Sequence, residues 1–107
     1  MRGVMSATLA GLFQLALAFP SQGGELVRVK ITDLAFSPTE IKVQPGDTVE
    51  WVNEDFIDHT ATETSGEWDV AIPAEKTAQR EFTRAGTFSY YCRIHPGMTG
   101  TIHVIAK

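Results

Sequence analysis

The chain has 107 residues, of which 43% are hydrophobic and 21% charged, and this is the size and composition of one small globular domain. Its 13 acidic residues outnumber its 9 basic ones, which gives a formal net charge of −4. That balance argues against nucleic acid as a partner, because a phosphate backbone is bound by a basic face.

Residues 1–18 have the pattern of a secretory signal peptide. A positive start at Arg2 precedes an uncharged, mostly apolar run over residues 4–17, and Ala-Leu-Ala at 16–18 has the small residues of a cleavage site. The alternative is an uncleaved membrane anchor, but a spanning helix needs about 20 apolar residues and this run is shorter. We therefore expect export, to the periplasm or an equivalent compartment, with no stable membrane insertion after cleavage. Cleavage would remove Arg2 and leave a net charge of −5.

After the signal peptide, a linker containing Ser, Gly and Pro is predicted at residues 19–25, and one domain at residues 26–107. The first strand of that domain is indicated by Val27, Val29 and Ile31. These residues alternate with charged ones at the two-residue period of a half-buried strand.

The rest of the domain is also predicted to form short strands. After the break that follows the first strand, Leu34 and Phe36 are expected to point inward, and the segment 54–75 is irregular. No window has the apolar spacing of a long helix, and strands separated by frequent turn signals favour an antiparallel β-sandwich or barrel. The further strands are predicted at residues 41–43, 49–53, 77–83, 87–91 and 101–105.

The segment between the last two predicted strands carries Cys92, His95 and Met98 with the spacing C-x₂-H-x₂-M. A His₂Cys set with a weak axial Met is the ligand set of a blue-copper electron-transfer site. The second histidine is predicted to be His59, which follows a strong strand in an irregular segment where a ligand can be presented. The other candidate, His103, lies within the last strand, and we interpret it as a surface histidine.

Each of these residues also has an interpretation without metal. A lone Cys is often a small buried hydrophobe, and a lone Met usually fills the core. After signal removal, however, the chain has one Cys, one Met and three His, and the Cys, the Met and one His fall together directly after a strand. Zinc also binds Cys and His, but the thioether favours copper. The pattern therefore predicts one type 1 copper ion.

Three segments carry a resemblance to a known family. PGDTVEWVN at 45–53, His59, and AGTFSYYCRIHPGM at 85–98 together resemble the small cupredoxins. The short ligand loop, with a proline after its histidine, is similar to that of the amicyanins in particular, with plastocyanin and pseudoazurin as relatives. The resemblance covers residues 26–105. It implies an all-β, Greek-key β-sandwich with copper near one end and His95 exposing its ring edge as the electron port.

The leading functional hypothesis is a monomeric electron carrier outside the cytoplasm. It would cycle Cu(II)/Cu(I) between a redox protein donor and acceptor, such as a dehydrogenase, a c-type cytochrome or an oxidase. The alternative is a copper-binding module for storage, delivery or sensing. An enzyme is rejected, because copper oxidases and nitrite reductases need further copper sites, commonly with histidines beside the cysteine. Here Cys92 lies between Tyr91 and Arg93.

Residues near His59 are expected to hold and tune the site. Ligand histidines usually donate their second ring N–H to a carbonyl, a carboxylate or water, so a partner is expected from residues 53–60. Asn53 either links the strand end to the ligand segment or is a plain turn residue. Thr60 is expected to hydrogen-bond toward the sulfur of Cys92 or toward its loop.

The segment before His59 also offers a candidate docking surface. Phe56 and Ile57 form an apolar patch if they are exposed, although Phe56 is expected to lie in the core. Glu54, Asp55 and Asp58 could form an acidic rim that steers a basic partner by long-range attraction.

Overall fold

The computed structural model describes residues 23–107, so the predicted signal peptide and residues 19–22 of the predicted linker lie outside the described residues. Within residues 23–107, all of the regular secondary structure is β-strand, as expected. No helix in that range is long and apolar enough to cross a membrane. The strands are β1 (Leu26–Thr32), β2 (Ala35–Ser37), β3 (Glu40–Val43), β4 (Asp47–Asn53), β5 (His59–Glu63), β6 (Asp69–Ile72), β7 (Thr77–Phe82), β8 (Gly86–Tyr91) and β9 (Thr99–Val104).

The strands form two sheets that pack as a sandwich. One sheet has the order β2-β1-β4-β7 and the other the order β3-β9-β8-β5-β6. Among the described residues, five strand pairings are antiparallel, whereas β1–β4 and β3–β9 are parallel. The parallel pairs arise because the chain changes sheet after β2 and again after β3, so these neighbours are not joined by a hairpin. The predicted all-β sandwich is confirmed, with mixed rather than purely antiparallel sheets.

The core follows the alternation seen in the sequence. Val29 and Ile31 on β1, and Val49 and Trp51 on β4, are fully buried because successive side chains of a strand point to opposite faces. Trp51 Nε1 donates a hydrogen bond to the hydroxyl of Tyr90 on the other sheet, at 3.2 Å. This bond pairs two buried polar groups and connects the sheets in the middle of the core.

The turn between β1 and β2 has an uncommon backbone. Asp33 and Leu34 both have left-handed φ, at 52° and 60°. Two successive residues of this kind form the hairpin turn whose twist matches that of the flanking strands. Phe36 is buried as expected, but Leu34 is 46% exposed, so its predicted inward position is wrong. The turn places Leu34 beyond the last cross-strand pair, Thr32 and Ala35.

The irregular segment 54–75 contains the short strands β5 and β6. β5 pairs with β6 on one side and with β8 on the other, and all residues of His59–Glu63 are buried. Because β5 and β8 are antiparallel, the start of β5 lies near the end of β8. The fold therefore brings His59 and the loop that follows Tyr91 to the same end of the sandwich.

Candidate metal centre

Three of the four predicted ligands lie on one tight loop between β8 and β9. The Cys92 N–H donates to the Met98 carbonyl at 3.0 Å, and the Met98 N–H donates to the His95 carbonyl at 2.8 Å. Cys92 is fully buried, Met98 is nearly so, and His95 is half-buried. These two bonds close the loop and fix the spacing of its donor groups.

His59 reaches the same place from the start of β5. Its Nδ1 lies 3.7 Å from the Sγ of Cys92. For metal–sulfur and metal–nitrogen bonds of about 2.3 and 2.0 Å in a near-trigonal plane, the sulfur and nitrogen are separated by about 3.7 Å. The two atoms therefore already have the separation of two ligands to one ion.

His95 lies beside this pair. Its ring meets the His59 ring edge to face, with centroids 5.4 Å apart. The Nε2 of His95 is buried and has no hydrogen-bond partner among the described residues. A buried polar atom without a partner is costly, and a lone pair here suits a metal ion. A thiolate, two imidazoles and a thioether are together a donor set that fits copper.

The donor groups do not form a finished cluster. Within residues 23–107, no three His, Cys, Asp or Glu side chains have the spacing needed to hold a metal ion. His59 and Cys92 already have the required separation, and Met98 lies close to them. The His59–Cys92 pair is therefore the part of the predicted ligand set with a ligand-like separation in residues 23–107.

The environment of Cys92 favours its thiolate. Burial raises the pKa of the Cys92 thiol, but hydrogen bonds to its sulfur outweigh burial and lower the pKa overall. The largest contribution among them comes from the Thr60 backbone N–H, which lies 3.4 Å from the sulfur. The contact from Thr60 to the sulfur was expected and is confirmed. A lowered pKa matters because the thiolate is the form that binds metal.

A carboxylate holds the His59 ring on the side that faces away from Cys92. The Nε2 of His59 pairs with the Oδ2 of Asp55 at 2.9 Å, which places the ring proton on Nε2 and leaves the Nδ1 lone pair facing Cys92. Asp55 also accepts the backbone N–H groups of Asp33 and Leu34, at 2.8 and 3.0 Å. Burial raises the pKa of the Asp55 carboxyl, but these bonds and that from His59 lower it overall. Asp55 therefore connects the histidine to the β1–β2 turn.

Asn53, at the end of β4, is a bridge rather than a plain turn residue. Its Nδ2 lies within hydrogen-bond distance of the carbonyls of Ile57, Ile72 and Pro73, at 2.9 to 3.1 Å. Its Oδ1 accepts the backbone N–H of Asp55 at 2.9 Å. Asn53 therefore ties the end of β4 both to the segment that carries His59 and to the end of β6.

The surface next to the centre is apolar. Phe56 is 83% exposed, so its predicted place in the core is wrong, and Ile57 is 44% exposed. The reason lies one residue earlier, where Asp55 turns inward to hold His59 and leaves Phe56 facing solvent. Leu34, Phe56 and Ile57 line one shallow depression together with Asp33 and Asp55, and we call the three apolar residues the apolar patch.

His103 is not part of this arrangement. Its Nε2 lies 3.6 Å from a carboxylate oxygen of Glu40 on β3, and its Nδ1 lies 3.3 Å from the hydroxyl of Thr87 on β8. Both neighbours belong to strands flanking β9. His103 therefore contacts other strand residues and none of the predicted ligands.

Comparison with known proteins agrees with this geometry. A sequence profile of copper binding proteins of the plastocyanin/azurin family matches residues 24–105. Amicyanin-alpha from Methylorubrum extorquens is 30% identical, with 92% of this chain and 86% of that protein covered. Plastocyanin from Nostoc punctiforme is 35% identical, with 83% and 81% covered. Amicyanin from Paracoccus denitrificans is 32% identical over 71% of this chain, which spans only 63% of that relative's length.

Solved structures give the same result. The crystal structure of amicyanin from Paracoccus versutus superposes with a TM-score of 0.66 at 27% identity, covering 84% of this chain and 88% of that one. A Cu(I) structure of an amicyanin variant gives a TM-score of 0.69 at 27% identity, with 80% and 95% covered. The chain therefore belongs to the plastocyanin/azurin family of copper-binding proteins, and its cofactor is copper.

Proposed function

We propose that this protein is a one-electron carrier in which His59, Cys92, His95 and Met98 would hold one copper ion. The observation that carries the proposal is the 3.7 Å separation of Cys92 Sγ and His59 Nδ1. The buried, unpartnered Nε2 of His95 beside them supports it. When bound, copper supplies a reversible Cu(II)/Cu(I) couple.

The protein's own part is to hold the same ligand arrangement in both oxidation states, because any rearrangement would add to the barrier for electron transfer. Two backbone hydrogen bonds close the ligand loop, and Asp55 fixes the ring of His59. The neighbours of Cys92 are Tyr91 and Arg93, neither of which is a copper ligand. This sequence supports a carrier rather than an enzyme with further copper sites.

The location and partners follow from the same proposal. The protein acts outside the cytoplasm, after removal of residues 1–18, as a monomer. It exchanges electrons with a redox protein donor and acceptor, for which a dehydrogenase, a c-type cytochrome and an oxidase are the candidate classes.

Partners dock on the face around His95. The apolar patch and the half-exposed Ile94 on the ligand loop offer contact area near that ring. The predicted acidic rim is weaker than the sequence suggests, since Asp55 is engaged with His59 and Glu54 lies 3.9 Å from the ammonium of Lys30. Docking therefore depends mainly on apolar contact, and the net negative charge adds long-range attraction for a basic partner.

Electrochemistry of the copper-loaded protein tests the carrier role. A reversible one-electron wave, with the same ligands seen by X-ray absorption in both oxidation states, is expected. Binding of Cu(I) alone, with easy release to a chelating acceptor, would instead favour storage or delivery.

The docking face is tested with a basic c-type cytochrome as the electron acceptor. Phe56→Ser should lower the bimolecular transfer rate while leaving the reduction potential unchanged. The matched control is Ile105→Ser, because Ile105 is another exposed apolar side chain, at 49%, but follows the end of β9 that is far from the ligand loop. Equal rates for the two variants would contradict the assignment of this face, and a rate independent of ionic strength would contradict electrostatic steering.

A further inference from the structure

A ring of hydrogen bonds joins the ligand loop to the surface of the sandwich. The Arg93 guanidinium contacts the Asp69 carboxylate twice, from Nε to Oδ1 at 3.2 Å and from Nη2 to Oδ2 at 3.0 Å. The Oδ1 of Asp69 also accepts the hydroxyl of Thr62 at 2.6 Å, and the hydroxyls of Thr62 and Thr60 are 2.9 Å apart. The backbone N–H of Arg93 closes the ring by donating to Thr60 Oγ1 at 2.8 Å.

The ionised Asp69 fixes the direction of every bond in this ring. The hydrogen bonds from Arg93 and Thr62 lower the pKa of the Asp69 carboxyl, so it is ionised and can only accept. The single proton of the Thr62 hydroxyl therefore goes to Asp69, and Thr62 must accept the proton of Thr60. Thr60 in turn presents a lone pair to the Arg93 N–H. The bonds from the Arg93 N–H through Thr60 and Thr62 to Asp69 therefore all run in one direction and polarise one another, while the guanidinium of Arg93 donates to the same carboxylate from the other side.

Thr60 is where this ring meets the predicted copper centre. Besides its hydroxyl bonds, its backbone N–H donates to the Sγ of Cys92 at 3.4 Å. Both Thr60 and Thr62 are buried, whereas Arg93 and Asp69 are about half exposed. The ring thus ties a buried N–H···S contact to an ion pair that solvent can reach. Hydrogen bonding around the cysteine sulfur is one of the factors that tune the potential of a blue-copper site.

We propose that Arg93 and Asp69 are positioning residues that hold Thr60 through Thr62, and that they thereby set the N–H···S contact to Cys92 and the reduction potential of the copper. This inference rests on the proposed electron-carrier function. An N–H donor withdraws electron density from the thiolate and favours Cu(I). Loosening the ring should therefore lower the potential.

Two variants that leave every charge in place test this proposal. Arg93→Lys keeps the positive charge but cannot form the forked contact to a carboxylate. Thr62→Val has nearly the same shape and removes only the hydroxyl that connects Thr60 to Asp69. The matched control is Arg84→Lys, because Arg84 also pairs with a carboxylate, that of Glu67, on the exposed surface and outside this ring.

Two measurements are made on each variant, after thermal melting has shown that it is folded. The first is the reduction potential of the copper-loaded protein, which should fall in Arg93→Lys and Thr62→Val and stay unchanged in Arg84→Lys. The second is hydrogen exchange of the Thr60 and Arg93 backbone N–H groups in the copper-free protein. Both groups should exchange faster in the first two variants only.

The outcomes separate this proposal from the one on which it rests. If the wild-type protein gives no reversible couple, the carrier function fails, and exchange in the copper-free protein still decides whether the ring holds Thr60. If the wild-type couple is reversible but Arg93→Lys and Thr62→Val match it in potential and exchange, the positioning role is refuted. If Arg93→Lys matches wild type while Arg93→Met shifts the potential, the arginine acts only through its charge, and the proposal is again wrong.

Discussion

Asp55→Ala removes the carboxylate behind His59 and tests how far that contact controls copper binding. The Nε2 of His59 loses its partner at 2.9 Å, so the ring is free to rotate and to move its proton to Nδ1, the atom that faces Cys92. Loss of such a partner typically lowers metal affinity by about 10- to 100-fold. At about 1.4 kcal/mol for each factor of ten, the expected loss of binding free energy is about 1.4 to 2.8 kcal/mol.

The same substitution also weakens the β1–β2 turn. Asp55 accepts the N–H groups of Asp33 and Leu34, which both have left-handed φ. These N–H groups are exposed and can bond to water instead, so the expected loss is about 1–2 kcal/mol of the free energy of unfolding, as for the loss of a helix cap. Chemical denaturation of the copper-free protein measures this loss separately from the copper affinity.

The assay is competition for Cu(I) against a chelator of known affinity. Asp58→Ala is the control, because it removes the same charge one residue from His59 but its carboxylate accepts the backbone N–H of Ala74 rather than the imidazole. A copper affinity of Asp55→Ala equal to that of wild type, or an equal loss in both variants, would refute the reasoning.

Three further predictions concern the fold around the site. A Cβ on Gly100 would lie 2.5 Å from the Cζ of the buried Tyr90, so Gly100→Ala should lower the free energy of unfolding by about 1–3 kcal/mol. A Cβ on Gly97 would meet open space, so Gly97→Ala should change that free energy by less than about 0.5 kcal/mol. Urea titration of both variants measures the difference. Burial raises the pKa of Tyr90 from its ordinary 10.0 to about 12, so the folded protein holds that proton more tightly than the unfolded chain. The contribution of this group to the free energy of unfolding is therefore complete below pH 10.0 and is lost as pH rises toward about 12. Unfolding measured as a function of pH should show this loss in wild type and not in Tyr90→Phe. Leu34→Gly should raise the free energy of unfolding by up to about 1.5 kcal/mol, because it relieves a left-handed φ that costs a non-glycine residue about 1–2 kcal/mol but adds a backbone-entropy cost of about 0.5–1 kcal/mol. An unfolding midpoint below that of wild type would contradict this.

The parts of the site that the sequence predicted are those set by local spacing and by ligand chemistry. Cys92, His95 and Met98 fall within seven residues, so a single loop must present them together wherever the chain runs. The contribution of His59 was harder to predict, because its position near this loop depends on the pairing of β5 with β8. It remains a prediction, preferred because His103 lies inside a strand.

The parts that the sequence did not predict depend on contacts across the sandwich. Nothing local to Arg93 indicates that its guanidinium meets Asp69, 24 residues earlier, because that contact depends on which strands become neighbours. The exposure of Phe56 was missed for a related reason. Hydrophobicity alone favours burial, but the inward turn of Asp55 decides which way the next side chain faces. The exposure of Leu34 likewise follows from a hairpin turn, and that turn was hard to predict because it lacks the glycine or asparagine usual for its backbone.

The visible absorption spectrum of the oxidised, copper-loaded protein tests the predicted ligand set most directly. A thiolate bound to Cu(II) should give an intense blue colour, which Cys92→Ala should abolish. Met98→Ala should keep the colour with an altered potential, because a thioether would be the weakest of the four predicted donors. A wild-type protein that binds one copper ion and stays colourless when oxidised would contradict the assignment of Cys92 and His59 to a single copper centre.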